Sequence, residues 1–215
     1  MDNQAIEFST YIKAIISTVE ANAEEVAELD RAIGDGDHVI NLQRGLAALD
    51  KLGNELDNLD WSAALMKIGM TLMSTMGGAS GSLFGTLFVS MAKSAKGQDV
   101  NSDTLATAFY QGVESVKQRG KADLGEKTML DTLIPVTTCL QEGVKQNRKL
   151  TQLLTNIKTQ AIAGMESTKD MLATKGRASF LGERAVGHID AGARTSQLMI
   201  CTIADVIASS VATKD

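Results

Sequence analysis

Two cysteines, Cys139 and Cys201, and two histidines, His38 and His188, are all that 215 residues offer toward a zinc centre or a disulfide framework. Neither zinc-ligand spacing nor the paired-histidine helix of zinc peptidases occurs, so a zinc site would need distant parts of the chain. Cysteines this sparse, with no charged-then-apolar leader, lead us to expect a reducing, cytoplasmic location. No apolar run reaches the ~20 residues of a membrane span, and Asp205 interrupts the apolar C-terminal stretch, so no membrane partner is expected. A net charge of −5 without a basic cluster argues against binding along a nucleic-acid backbone. The one proline, Pro135, falls near an expected helix start, where its missing N–H costs least.

What the chain has in quantity is helical periodicity. Phe8, Tyr11, Ile12, Ile15, Ile16, Val19, Ala23 and Val26 recur at three- and four-residue steps, the signature of one buried helical face. Further stripes run through Leu42 to Leu52, Trp61 to Leu72, Leu83 to Met91, Leu105 to Val116, Leu133 to Leu140, Leu153 to Met165 and Leu198 to Ile207. Asp60 is the expected N-cap before Trp61, and Ser102 or Asp103 before Leu105. These stripes give about eight helices of ordinary length with no alternating strand between them. With 44% hydrophobic residues the chain can build a real core, and one all-α domain over residues 1–215 is the expected organisation. The ten methionines scatter over helical faces and read as core filler.

Asp30, Asp35 and Asp37 fall within eight residues, separated by glycines and followed by His38 and Asn41. Clustered carboxylates repel and raise one another's pKa, and a bound cation relieves the repulsion. Carboxylates suit hard ions, and magnesium takes one or two of them per ion, keeps waters and accepts phosphate oxygens as further ligands. Aspartate and glycine are equally the ordinary residues of turns and N-caps. An EF-hand is excluded, because a template begun at Asp35 puts Val39 and Ile40 where an oxygen ligand and a glycine belong.

Two other segments break the helical pattern. Met76-Gly77-Gly78-Ala79-Ser80-Gly81-Ser82 runs into a helix expected near Leu83, an arrangement that suits either phosphate at a helix start or plain close packing. Lys175 to Arg194 carries Arg177, whose planar fork matches phosphate oxygens. In it Glu183 and Arg184 read equally as structural ion-pair partners, and His188 as a hydrogen-bonder that pins the loop. A fourth stretch, Arg119 to Thr128, imitates a Walker A loop. Glu126 intervenes between Gly125 and Lys127 and no strand precedes it, so a P-loop fold is rejected; its glycines and Met129 could still wall a pocket for a base.

Four blocks in order, Gly-Asp-Gly-Asp-His-x-x-Asn at 34 to 41, Gly-Gly-Ala-Ser-Gly at 77 to 81, Gly-Glu-Lys-Thr-Met at 125 to 129 and Gly-Arg-Ala-Ser-x-Leu-Gly-Glu-Arg at 176 to 184, span essentially the whole chain. Together they resemble the ADP-binding L subunit of phosphotransferase-system-dependent dihydroxyacetone kinase, the DAK2 or DhaL domain family. The resemblance implies a closed antiparallel eight-helix barrel with the nucleotide, ADP or ATP, at one rim. It implies that Asp30, Asp35 and Asp37 hold two Mg2+ ions. His38, Val39, Ile40, Asn41, Ala79, Ser80, Gly120, Met129, Arg177, Asp190, Ala191 and Gly192 would line the nucleotide site. Two positions depart from the family pattern: Val39 stands where glycine commonly follows the histidine, adding a branched side chain beside the phosphates, and Ala191 where proline commonly follows the aspartate.

By the same resemblance, ADP stays bound as a prosthetic group, a phosphohistidine on an M subunit recharges it to ATP, and the phosphoryl group passes to dihydroxyacetone held on a K subunit. No residue of this chain is expected to act as a general base, and phosphoryl transfer asks mainly for positioning and charge neutralisation. No substrate or phosphohistidine module is read in these residues, so this arrangement is expected over an ATP-exchanging kinase. The alternatives are an ATP-dependent kinase subunit for another small hydroxyketone, a fatty-acid-kinase-like assembly, or a non-catalytic helical regulatory module. A transcription regulator and a second copy of the chain are further partners open to it.

Overall fold

The computed structural model describes residues 6–212, so the first five and last three residues of the expected 1–215 domain lie outside it. Among the described residues there are ten α-helices, two 3-10 segments and no strand. The helices are α1 (Phe8–Ala21), α2 (Ala23–Ile33), α3 (His38–Asp50), α4 (Gly53–Asp57), α5 (Trp61–Thr75), α6 (Gly78–Ala95), α7 (Ser102–Gly120), α8 (Leu130–Lys145), α9 (Leu150–Ser167) and α10 (Ala191–Ala212); the 3-10 segments are Thr168–Asp170 and Arg177–Ala185.

The first apolar stripe was expected to form one helix, and it breaks at Asn22, where φ is −113°. Asn22 donates from its side-chain amide to the Thr18 carbonyl at 2.8 Å, offering the backbone an alternative to continuing the helix. Helix starts follow the side chains available to hold them. Asp60 caps α5 as expected, accepting from Ala63 N–H at 3.0 Å. For α7 the cap is Asn101 rather than Ser102 or Asp103, because Asn101 and Thr104 satisfy each other's backbone in a capping box. Leu105 sits in that exposed first turn and contributes little to the core. Pro135 lies in the second turn of α8, later than expected.

Long helices pack mainly on their neighbours in sequence, α5 on α6, α6 on α7, α7 on α8, α8 on α9 and α9 on α10; α10 lies against α1, α1 against α3, and α3 against α5. Glycines set the closest approaches. A Cβ on Gly69 would come within 2.9 Å of the Gly85 carbonyl and one on Gly85 within 2.9 Å of the Gly69 carbonyl, so α5 and α6 meet backbone to backbone. The main core joins Leu42, Leu46, Leu65, Ile68, Leu72, Phe84, Leu87, Val113, Leu130 and Leu133, and each such side chain contributes about 1.5–3 kcal/mol on burial.

Helix α10 is long and apolar enough to pass for a membrane span, at a mean hydropathy of 1.4 over its best window. Within the fold 28% of that window is buried. It lies against α1, α8 and α9, and Arg194 grips both carboxylate oxygens of Glu25 on α2, at 3.0 and 2.8 Å. This fork-to-carboxylate geometry anchors the start of α10.

The contact between α8 and α9 gives a direct test. A Cβ on Gly164 would sit 2.3 Å from the Asp131 carbonyl, so Gly164→Ala must push the helices apart. We expect a loss of about 1–3 kcal/mol, measured as a lower urea midpoint at unchanged m-value.

Candidate functional site

The amino-terminal ends of four helices meet around one cleft. Asp37 and His38 bring the start of α3, Gly78, Ala79 and Ser80 that of α6, Thr128 and Met129 that of α8, and Ala191 and Gly192 that of α10. The glycine run expected to be a loop before Leu83 is itself the first turn of α6, which begins at Gly78 with no side-chain cap. Helix α10 likewise begins at Ala191, seven residues before the apolar stripe starts at Leu198. First-turn amides without intrahelical acceptors, together with the positive ends of the helix dipoles, make such a convergence attractive to anions.

The same cleft carries the acidic cluster. Ligand oxygens of Asp30, Asp35 and Asp37 all lie within 4.8 Å of one another. Their placement rests on glycine. Gly36 adopts φ +77°, and a Cβ on Gly34 would fall 2.0 Å from Asp30 Oδ1, so the turn that folds the carboxylates together has no room for a side chain there. Asp30 also accepts the His38 N–H at 3.0 Å, tying the end of α2 to the start of α3. An all-oxygen donor set of this kind fits a hard divalent ion. Arg177 Nη2 pairs with Asp35 Oδ2 at 2.7 Å across the opening, a contact so exposed that it adds little stability by itself.

His38 is buried, with both ring nitrogens engaged: Nδ1 is 3.0 Å from Ser80 Oγ and Nε2 is 3.1 Å from Thr195 Oγ1. It thereby links α3, α6 and α10 behind the cleft. Burial holds its pKa below the ordinary histidine value, against the pull of Asp30 and Asp37. Asn41 packs under the glycine turn, where a Cβ on Gly77 would lie 2.5 Å from Asn41 Oδ1.

The cleft has two parts. One, of about 270 Å³, is lined by the three carboxylates, Asn41, the α6 start, Lys127, Arg177 and Asp190. The other, of about 250 Å³, is lined by Leu83, Val116, Gly120, Ala122, Met129 and Leu130, with Arg119 and Ser82 at its edge. Ala79, Leu83, Thr128, Met129, Lys175 and Gly176 belong to both, so the parts are continuous. One end is charged and the other mainly apolar.

Of the residues expected at a nucleotide site, His38, Asn41, Ala79, Ser80, Met129, Arg177, Asp190, Ala191 and Gly192 line the charged part, and Gly120 lines the apolar part with Met129 and Ala79. Val39 and Ile40 line neither. The Val39 side chain turns into the core instead of crowding the cleft, and Ile40 faces solvent, leaving their first-turn amides as the groups nearest the site. Ala191 is the first residue of α10, a position where proline is also tolerated because the N–H it lacks has no intrahelical acceptor. Glu183 and Arg184 are exposed, and among the described residues neither forms an ion pair. The His188 ring is exposed too; it is the backbone carbonyl of this residue that pins the loop, accepting from Lys127 Nζ.

Lys127 and Asp131 are the residues that the sequence did not single out. Asp131 is fully buried and accepts the N–H groups of Gly125 and Thr128 at 2.5 and 2.7 Å, shaping the turn before α8; burial raises its pKa. The Gly-Glu-Lys-Thr run that mimics a Walker A loop is therefore a structural turn, its lysine directed at backbone carbonyls.

Residues 32–205 match the DAK2 domain. The chain belongs to the DAK2 domain family. The PEP-dependent dihydroxyacetone kinase 1 ADP-binding subunit DhaL of Listeria innocua is 41% identical over 84% of this chain and 86% of that protein. The corresponding DhaL subunit of Escherichia coli K12 is 38% identical over 94% of this chain and 95% of its own length. Among solved structures, the dihydroxyacetone kinase from C. freundii in complex with AMP-PNP and Mg2+ shares the fold with a TM-score of 0.72 at 24% identity. The match covers 92% of this DAK2 chain and 33% of that one, so the chain spans about a third of that kinase.

Asp190 supplies a pH-dependent test. Although the residue as a whole is only half-buried, desolvation of its carboxyl pushes the pKa up to about 6, against the Ala193 N–H and the Lys127 charge, which pull it down. Its unfolded value is about 3.9, so the folded protein binds the extra proton and folding is favoured progressively as pH falls from above 6 toward 4. Asp190→Asn removes this term and keeps an acceptor for Ala193. Between pH 7 and pH 4 wild type should gain on the order of 2 kcal/mol relative to the variant, read from denaturant midpoints at each pH.

Proposed function

We propose that this chain is the ADP-binding subunit of a phosphoenolpyruvate-dependent dihydroxyacetone kinase. It carries Mg-ADP as a prosthetic group, receives a phosphoryl group from a phosphohistidine donor (M) subunit, and passes it to dihydroxyacetone on a separate K subunit. The observation that carries this reading is the shared cleft: helix amino termini that favour an anion and a carboxylate cluster that favours a cation face the same space. A polyphosphate with bound magnesium meets both demands. DhaL subunits at about 40% identity over most of their length support the same assignment.

Asp30, Asp35 and Asp37 would hold the magnesium, as a pair of ions. When bound, magnesium there would supply the positive charge that neutralises phosphate oxygens. The first-turn amides of α3 and α6, with Ser80 and Arg177, would bind the diphosphate, and Arg177 would exchange its carboxylate partner for a phosphate oxygen. Leu83, Val116, Gly120, Ala122 and Met129 would enclose the base in the apolar part. Asn41, Asp190, Ala191 and Gly192 would shape the wall between them. Catalysis by this chain would then be positioning and charge stabilisation, with the acceptor activated on the partner.

The finer architecture belongs to the same proposal. The chain of helix contacts from α1 through α3 and α5 to α10 and back to α1 supports a closed antiparallel barrel of eight helices with α2 and α4 outside it. A single domain over 1–215 and a cytoplasmic location go with it, the latter supported by the two free cysteines.

Asp35→Asn should lose nucleotide and phosphoryl transfer together, with Mg-ADP affinity falling at least about tenfold, or 1.4 kcal/mol, in calorimetry. Retention of both would remove the metal assignment. The purified protein, dialysed and then denatured, should release about one ADP per chain, and EDTA should accelerate that release. Mixing the chain with the donor and acceptor subunits and following phosphate onto dihydroxyacetone tests the complete assignment; free exchange with ATP and activity without the donor would favour an ordinary ATP-dependent kinase.

A further inference from the structure

Among the described residues Lys127 is the largest fully buried side chain, at 1% exposure, and it adopts φ +62°, a left-handed conformation uncommon outside glycine. Buried lysines are rare unless their charge is compensated. Among the described residues no carboxylate lies within ion-pair distance of it. Its ammonium instead donates to two carbonyls, Thr168 and His188, each at 2.5 Å. Those carbonyls stand at opposite ends of one excursion of the chain between α9 and α10.

The two ends are bound to each other as well. Gly187 N–H donates to the Lys169 carbonyl at 2.7 Å, and Asp190 N–H to Thr168 Oγ1 at 3.1 Å. Residues 171 to 186 therefore form a loop with a closed neck. Beyond the neck the loop is held by exposed polar contacts, Thr174 Oγ1 donating to Glu126 Oε1 at 2.8 Å, Lys175 beside Glu126 and Arg177 beside Asp35, and by little apolar packing. Its apolar contact with α2 is a small cluster of Ile33 with Ala173, Ala178 and Ala185, separate from the main core. Gly176, Gly182 and Gly187 have positive φ and no neighbouring atom within 4 Å of a built Cβ, so backbone freedom, not tight packing, explains them. A lightly held loop can open without unfolding the rest of the protein. Arg177, on that loop, reaches the charged part of the cleft.

We propose that Lys127 is a positioning residue: by holding the Thr168 and His188 carbonyls together it closes the neck of the 171–186 loop and fixes Arg177 over the cleft, thereby setting the residence time of bound nucleotide. The second half rests on the nucleotide function proposed above; the first half does not. Removing the ammonium costs the neck its central donor, while the loop tip keeps only its small cluster and exposed polar contacts.

The test uses the full chain in two measurements. Hydrogen exchange, followed by mass spectrometry on nucleotide-free protein, compares wild type with Lys127→Met, Thr168→Val and, as a remote core control, Leu153→Ala. Lys127→Met should raise exchange at least tenfold in residues 171–186 and leave α5 and α7 as protected as in wild type; Thr168→Val should raise it in the same segment to a smaller extent. Leu153→Ala should loosen α8 and α9 without selecting the loop. Stopped-flow release of a fluorescent ADP analogue with Mg2+ should be at least tenfold faster in Lys127→Met and unchanged in Leu153→Ala. If Lys127→Met does not fold, Lys127→Gln, too short to reach both carbonyls, carries both measurements. Exchange that rises uniformly, or not at all in 171–186, overturns the clamp, and a selective rise with unchanged release overturns the positioning role. Wild type that takes up no Mg-ADP while the exchange pattern holds would refute the nucleotide function and uphold the clamp.

Discussion

Opposite electrostatic demands in one cleft govern this structure. Helix amino termini present unsatisfied N–H groups and positive dipole ends, most openly at α6, where Gly77 provides no side-chain cap. Lining the same cleft, three aspartates bring oxygens within 4.8 Å of one another. Either feature alone has ordinary explanations, because uncapped helix ends can bind water and exposed carboxylates can be solvated. Facing the same space, they select a ligand that carries both signs of charge. A nucleotide diphosphate with divalent metal is the simplest such molecule, and the adjoining apolar chamber has the linings a base requires.

Much of the remaining architecture serves to hold those two sets of groups at fixed separation. His38 ties three helices together through Ser80 and Thr195 and, through its own N–H, fixes Asp30. Asp131 organises the turn before α8, and Arg194 with Glu25 fixes the start of α10 against α2. Glycine allows the close approach on the cleft side, at Gly34 against Asp30 and at Gly77 against Asn41. Such support matters because phosphoryl transfer is sensitive to placement more than to any one reactive group.

The parts of this design that depend on local chemistry were legible in the sequence. Helical stripes, the Asp60 cap and the acidic turn follow from spacing alone, and the four glycine-containing blocks identified the family. Boundaries set by competition between neighbouring groups were less legible. The break at Asn22 depends on a side-chain amide that finds the Thr18 carbonyl, and Asn101 displaced Ser102 and Asp103 as a cap because Thr104 could reciprocate. Glycine disfavours helix, so the run at 77 to 81 reads as a loop in sequence, and tertiary packing overrides that preference. Least legible were Lys127 and Asp131. A lysine's burial, and its choice of carbonyls over phosphate, depend on segments 41 and 61 residues away; the local Gly-Glu-Lys-Thr pattern points, if anywhere, toward phosphate.

The occupied state of His38 also bears on which chemistry this chain can perform. A phospho-accepting or proton-transferring histidine needs at least one ring nitrogen free to meet its substrate. Both nitrogens of His38 are committed to hydroxyl partners, and burial lowers its proton affinity further. The ring of His188 is exposed and belongs to the loop stem rather than to the cleft lining. Neither histidine is placed to carry a phosphoryl group between partners or to deprotonate an acceptor in the cleft. On the proposed function, the donor's phosphohistidine and the acceptor's base must therefore enter on other polypeptides, and each must reach the charged end of the cleft past Arg177.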